Sequence, residues 1–179
     1  DGKGLYSTGR RHGDAMHVSD FDPERPGLEL YLVTENEDRT VRWQTPGAGL
    51  HDARTGELLW SHSPGVDVPR GIVADIDPRQ AGAEVWGGPG GLRTIKGKEI
   101  GPQPRHAEWV IWWDGDLLRE IYAGMTIQKW DWEKGELRQS FARISLRRPA
   151  DGPMLLGGLH RADPQPQFLA TLSRHCDYL

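Results

Sequence analysis

One segment of this chain occurs twice. Val18-Ser19-Asp20-Phe21-Asp22-Pro23, followed by Gly27-Leu28-Glu29-Leu30-Tyr31, returns 55 residues later. The second copy reads Val73-Ala74-Asp75-Ile76-Asp77-Pro78, followed by Gly82-Ala83-Glu84-Val85-Trp86. Val, both Asp, Pro, Gly and Glu keep their identity and spacing, and the positions between are exchanged like for like. A repeat of this length built from short strands falls near the blade length of β-propellers, roughly 40–50 residues in the commoner families. The fold class expected is therefore all-β. The strands expected are 28–34, 40–44, 57–61, 71–75, 83–87, 109–113, 117–122, 126–131 and 136–141, with a helical turn or two allowed in 132–140. Two further segments, Asp52–Leu58 and Asp131–Leu137, resemble each other and read as tight hairpin turns with Gly at a position needing positive φ. The Asp-Gly pair after Val110–Trp113 gives another hairpin signal.

Composition narrows the class from the other side. The 179 residues include 23 Gly and 13 Pro, well above the usual combined share of about 12%. A helical bundle does not carry breakers at that density. Eight Trp and apolar runs such as Leu28–Val33 require a core, which excludes disorder. No run approaches the roughly 18 apolar residues of a membrane helix. The net charge of −4, with signs interspersed, gives no reason to seek nucleic acid. The single Cys176 forbids an internal disulfide. The chain opens on Asp1 without Met, as expected of a trimmed or partial chain.

The repeat also carries chemistry. Carboxylates at i and i+2, a Gly at i+7 and a Glu at i+9 can converge oxygens on one hard cation, and Ca²⁺ accepts such irregular oxygen cages. The competing reading is an Asx-turn that caps a solvated loop. Asp20, Asp22 and Glu29, and Asp75, Asp77 and Glu84, are the candidate ligands. His12, Asp14 and His17 lie just upstream of the first loop. Zinc is conceivable there, but the Cys partners that would strengthen it are missing. His12 and His17 are read instead as neighbours of the first cation site or as structural histidines. Trp112 and Trp113 straddle a strand, so one should pack and the other should face solvent or a groove. Trp43, Trp60, Trp86 and Trp130 are expected to pack between sheets. Arg143, Arg147 and Arg148 form a basic run, read as a solvated face rather than a site for an acidic polymer. No P-loop, Gly-x-Ser-x-Gly, Cys-x-x-Cys or dinucleotide fingerprint is present.

Three blocks together resemble a known family. They are His12-Gly13-Asp14-Ala15-Met16-His17-Val18 with Asp20 to Glu29, then Arg70-Gly71 with Ala74 to Trp86, then Trp112 to Glu120. Their order and spacing resemble the middle region of the rhamnogalacturonan lyases of polysaccharide lyase family eleven, over about residues 9–138. The resemblance implies a partial β-propeller, about three blades of an eight-bladed fold that binds several Ca²⁺ ions. It implies a secreted enzyme that cleaves the rhamnogalacturonan I backbone of pectin by β-elimination between rhamnose and galacturonate. It also implies that the acid-loop residues are Ca²⁺ ligands, with His12 and His17 near the first site. The family's catalytic base is expected from a later segment, so the catalytic residues stay unassigned here. Residues 1–140 are read as blades, and 141–179 as a divergent C-terminal tail of uncertain structure. The alternative reading is a non-catalytic Ca²⁺-binding propeller module for carbohydrate or protein. A quinoprotein-type propeller, suggested by Asp52–Trp60, gives the acid loops no role.

Overall fold

A computed structural model of the chain describes residues 2–35, 45–123, 125–138, 142–147 and 155–161. These residues form short strands and no helix. β1 (Met16–Ser19), β2 (Glu29–Val33), β3 (Ala48–Asp52) and β4 (Leu58–His62) make an antiparallel meander in that order. β5 (Ile72–Ala74), β6 (Glu84–Trp86), β7 (Leu92–Thr94) and β8 (Glu99–Gly101) repeat the pattern. The third sheet holds β9 (Trp109–Ile111), β10 (Glu120–Ala123) and β11 (Thr126–Asp131). It continues with β13 (Ala142–Arg147) and β14 (Leu155–Arg161), while short β12 (Glu136–Leu137) pairs with β11 off that path. Among the described residues the molecule is all-β, built of three antiparallel sheets, and no sheet closes into a barrel or propeller.

The 55-residue repeat is the first strand, the acid loop and the second strand of the first two sheets. Asp22 and Asp77 start matching turns: Arg25 N–H donates to the Asp22 carbonyl at 2.9 Å, and Gln80 N–H to the Asp77 carbonyl at 3.1 Å. Asp at the first position and Pro at the second are the residues such a turn selects. The repeated Gly then bends the chain into the second strand. Gly82 has φ 81°, and a Cβ there would sit 2.4 Å from the Phe21 carbonyl oxygen.

The core alternates with the pleat. Val73 and Val85 pack against Tyr31, Val33 and Leu50 of the first sheet. Ile72, Ala74 and Trp86 pack against Ile121 and Trp130 of the third. The second sheet is covered on both faces, which explains why Ile72–Ala74 is apolar without alternation. Trp60 donates its indole N–H to the Ile95 carbonyl at 2.7 Å, joining the first sheet to the second. Trp113 is 8% exposed and Trp112 is 64% exposed, the expected split, although both lie just past the end of β9 rather than within a strand. Trp43 and the side chains of Arg143, Arg147 and Arg148 lie outside the described residues, as does the segment 40–44.

Six strands were not foreseen: β1, β3, β7, β8, β13 and β14. β3 reads Ala48-Gly49-Leu50-His51-Asp52, a sequence with little β-propensity of its own. Its pairing on both sides by β2 and β4 makes it a strand, tertiary context overriding propensity. The helical turn allowed in 132–140 is instead a tight turn closing β11 onto β12. Gly135 has φ 69° there, and Gly56 has φ 78° in the resembling segment. Gly135 N–H bonds the Asp131 carbonyl at 2.7 Å, and Gly56 N–H bonds the Asp52 carbonyl at 2.8 Å.

Candidate functional site

The first strands of the three sheets, β1, β5 and β9, carry two kinds of chemistry at their two ends. At their N-terminal ends a cavity of about 410 Å³ opens, lined by Asp14, Ala15, Met16, His17, Arg70, Glu108 and Trp109. Arg70 is held by Asp14, Nη1 to Oδ2 at 2.5 Å, and its hydrogen bond keeps the Asp14 carboxyl below its usual range. The guanidinium remains half exposed at 46%, so it can meet a further anion. Trp109 offers a broad apolar face at 64% exposure. His17 donates from Nε2 to the Gly71 carbonyl at 2.8 Å, which ties β1 to the entry of β5. Burial lowers the His17 pKa, against the pull of that carbonyl, and favours the neutral ring. An anion-pairing guanidinium beside an exposed indole suits an acidic sugar: one holds a carboxylate, the other stacks on a pyranose face.

At the opposite, C-terminal ends of the same strands sit the acid loops. Each second strand begins with a Glu that is 0% exposed: Glu29, Glu84 and Glu120. Each turns Oε2 back to the loop backbone. Glu29 accepts from Phe21 and Asp22 N–H at 2.8 and 3.1 Å. Glu84 accepts from Ile76 and Asp77 N–H at 2.9 and 2.8 Å. Glu120 accepts from Trp113 N–H at 2.6 Å. The sheets are then stitched loop to loop: Ala83 N–H donates to the Phe21 carbonyl at 3.1 Å, and Arg119 N–H to the Asp75 carbonyl at 2.8 Å.

The loops differ in what faces the remaining oxygens. In the first, Arg25 reaches Glu29 Oε1 at 2.9 Å and also pairs with Asp52. In the second, Arg79 turns to Asp77, Nη2 to Oδ2 at 2.6 Å. Asp75 Oδ1 and Glu84 Oε1 are left buried without a hydrogen-bond partner. Burial pushes the Glu84 carboxyl up to about 8, even though two backbone N–H groups favour its charged form. Burial, then the Asp77 charge, raises Asp75 as well. Two buried carboxylate oxygens are left unsatisfied there, a cost that a proton on Glu84 or a bound cation relieves.

The sequence separated these loops only in part. Asp20, Asp22 and Glu29 follow one another through the first acid loop, as do Asp75, Asp77 and Glu84 through the second, but neither set brings three ligand atoms within 4.8 Å; among the described residues only His12, Asp14 and Glu35, and Asp114, Asp116 and Glu120, do so. Asp22 and Asp77 also make the Asx-turns of the competing reading, accepting from Glu24 N–H at 3.0 Å and Arg79 N–H at 3.1 Å. His12 and His17 are not brought to the first loop. His17 lies within β1, about 10 Å along the strand from Asp20. His12 groups with Asp14 and Glu35, their ligand atoms within 4.8 Å of one another. Arg70 and Trp109 drew no attention as site residues, since neither stands in a motif of its own. The third acid loop, Asp114, Asp116 and Glu120, also brings its carboxylates within 4.8 Å, close enough to hold one metal ion. Its loop is shorter, so it does not stand in the register of the other two. The step from Asp75 to Asp114 is 39 residues, whereas that from Glu84 to Glu120 is 36.

Comparison with known proteins agrees with this architecture. The family model for the C-terminal domain of rhamnogalacturonan lyase family 11 matches residues 1–148. The rhamnogalacturonan endolyase YesW of Bacillus subtilis is 50% identical over 136 residues, 75% of this chain and 21% of that protein. The exolyase YesX of the same organism is 48% identical over 158 residues, 79% of this chain and 25% of that protein. A solved rhamnogalacturonan lyase of Bacillus licheniformis superposes with a TM-score of 0.70 at 46% identity, over 81% of this chain and 25% of that one. The chain thus spans a fifth to a quarter of the length of these relatives. With its matching sheets, and with a family match over most of its residues, the chain belongs to rhamnogalacturonan lyase family 11.

Proposed function

We propose that this chain is the cleft-forming part of a pectin-degrading lyase that cleaves rhamnogalacturonan I at rhamnose–galacturonate linkages by Ca²⁺-dependent β-elimination. The observation that carries the reading is Arg70 beside Trp109 in the cavity at the N-terminal ends of β1, β5 and β9. A guanidinium paired to a galacturonate carboxylate draws charge from the adjacent C5, which acidifies its proton and stabilises the enolate. A base takes that proton, the electrons form the C4–C5 double bond, and the C4–O bond breaks with its oxygen leaving on rhamnose. The names of YesW and YesX offer both endo and exo cleavage for a chain of this kind.

Ca²⁺ belongs in this reading at the acid loops. We assign it to the second loop, Asp75, Asp77 and Glu84, because Asp75 and Glu84 each bury an oxygen without a hydrogen-bond partner; Asp20, Asp22 and Glu29 form the equivalent set. An ion there supplies charge neutralisation and cross-links a loop to the strand behind it. The loops lie at the far ends of the strands from the cleft, so their ions act on folding. The sheets are read as part of an eight-bladed propeller, with blades through residue 140 and a divergent tail over 141–179. A polysaccharide substrate too large to enter a cell places the protein outside it.

The test incubates the chain with rhamnogalacturonan I and Ca²⁺ and follows ultraviolet absorbance of the unsaturated product. Turnover that falls at least ~100-fold in Arg70→Ala supports the assignment. Binding of rhamnogalacturonan oligosaccharides without product favours the alternative, a non-catalytic binding module. Neither binding nor product in a folded, Ca²⁺-loaded sample overturns both.

A further inference from the structure

The three acid loops share one frame and face three different residues. Across each sheet, the residue opposite the buried Glu lies on the third strand. Glu29 faces Asp52, Glu84 faces Thr94 and Glu120 faces Lys129. Only the third pairing brings a cation into the loop from the sheet itself. Lys129 Nζ lies 2.6 Å from Asp114 Oδ2 and 2.5 Å from Asp116 Oδ2. It also lies 3.0 Å from Glu120 Oε1, close enough for charge pairing though off the line of a hydrogen bond. The Lys129 side chain is 9% exposed. Its ammonium therefore stands where the oxygens of the third loop converge.

We propose that Lys129 is the built-in cation of the third loop, so that this copy of the repeat is held without a metal ion while the second copy requires one. The inference rests on the Ca²⁺ reading of the first two loops. Three further observations support it. The third loop is shorter between its first Asp and its Glu, and it lacks the Pro that starts the turn in the other two. A Ca²⁺ ion takes oxygens at roughly 2.3–2.6 Å and needs six to eight of them. The three carboxylates of this loop already hold an ammonium that donates to two of them and pairs with the third. Burial opposes the Lys129 charge, but its bonds to Asp114, Asp116 and Glu120 outweigh that and raise its pKa.

Ca²⁺ stoichiometry, measured by titration calorimetry on the whole chain and checked by Tb³⁺ luminescence, decides the matter. Lys129→Met should bind one more ion than the unaltered chain, and Glu120→Gln should bind the same number. Glu84→Gln should bind one fewer. Loss of one ion in Glu120→Gln overturns the proposal, and so does a folded Lys129→Met that gains none. If Lys129→Met does not fold, Glu120→Gln alone decides. An unaltered chain that binds no ion, with Glu84→Gln indistinguishable from it, overturns the Ca²⁺ reading instead. The gain in Lys129→Met is still scored in that case.

Discussion

The second and third acid loops solve one problem in two ways. Both must keep a Glu at 0% exposure next to two Asp carboxylates. The second places neutral Thr94 opposite Glu84 and leaves two buried oxygens unsatisfied. The third places Lys129 opposite Glu120 and sets its ammonium among the three carboxylates. The difference teaches that a repeat can conserve its backbone while relocating its counter-charge, from a dissolved ion to a side chain of the same sheet.

The harshest way to break the comparison is Lys129→Met in a chelator. Three carboxylates then lose the ammonium that pairs with them, and breaking a buried pair costs about 3 kcal/mol or more. Urea unfolding should show that loss, and saturating Ca²⁺ should recover part of it. The converse graft is Thr94→Lys, which gives the second sheet the third sheet's solution. The rise in melting temperature on adding Ca²⁺ should shrink by at least about 4 °C relative to the unaltered chain. An undiminished rise would show that position 94 does not reach the loop.

Glu84→Gln should be stabilising by about 1 kcal/mol without a cation at pH 8, because it removes a buried charge that nothing pairs. With saturating Ca²⁺ the same variant should be destabilised, since a ligand is gone. Denaturant melts in the two conditions read the reversal. Cation-free stability should also depend on pH. The Glu84 carboxyl titrates near 8 in the folded, cation-free chain and near 4.5 when unfolded. Between those values the folded state holds the extra proton, so cation-free stability falls as pH rises from about 5 to 8. Melting temperatures across that range should decline in the chelated chain, and the decline should flatten in Glu84→Gln.

The sequence made the first two loops readable because their Pro, Gly and Glu are fixed by turn geometry, a local requirement. Asp22-Pro23 and Asp77-Pro78 had to look alike to make the same turn. The third loop and the cleft were not readable in the same way. Lys129 meets Asp114 only through the register of β10 on β11, and Arg70 shares a cavity with Trp109 only because β5 and β9 are neighbours. β3 and β8 were missed for a related reason, since neighbours rather than their own residues make them strands. The histidines were misplaced because nearness in sequence was taken for nearness in space. A strand of four residues carries its two ends about 10 Å apart.

The stitches from Ala83 to Phe21 and from Arg119 to Asp75 link each sheet only to the one before it. Each donor immediately precedes a buried Glu, so a sheet cannot set its own Glu without also engaging its neighbour's loop. The array therefore behaves as a one-dimensional lattice with nearest-neighbour coupling. Order should spread along it from sheet to sheet, and fraying should start at a terminal member. In amide exchange, the middle sheet should be the last to open.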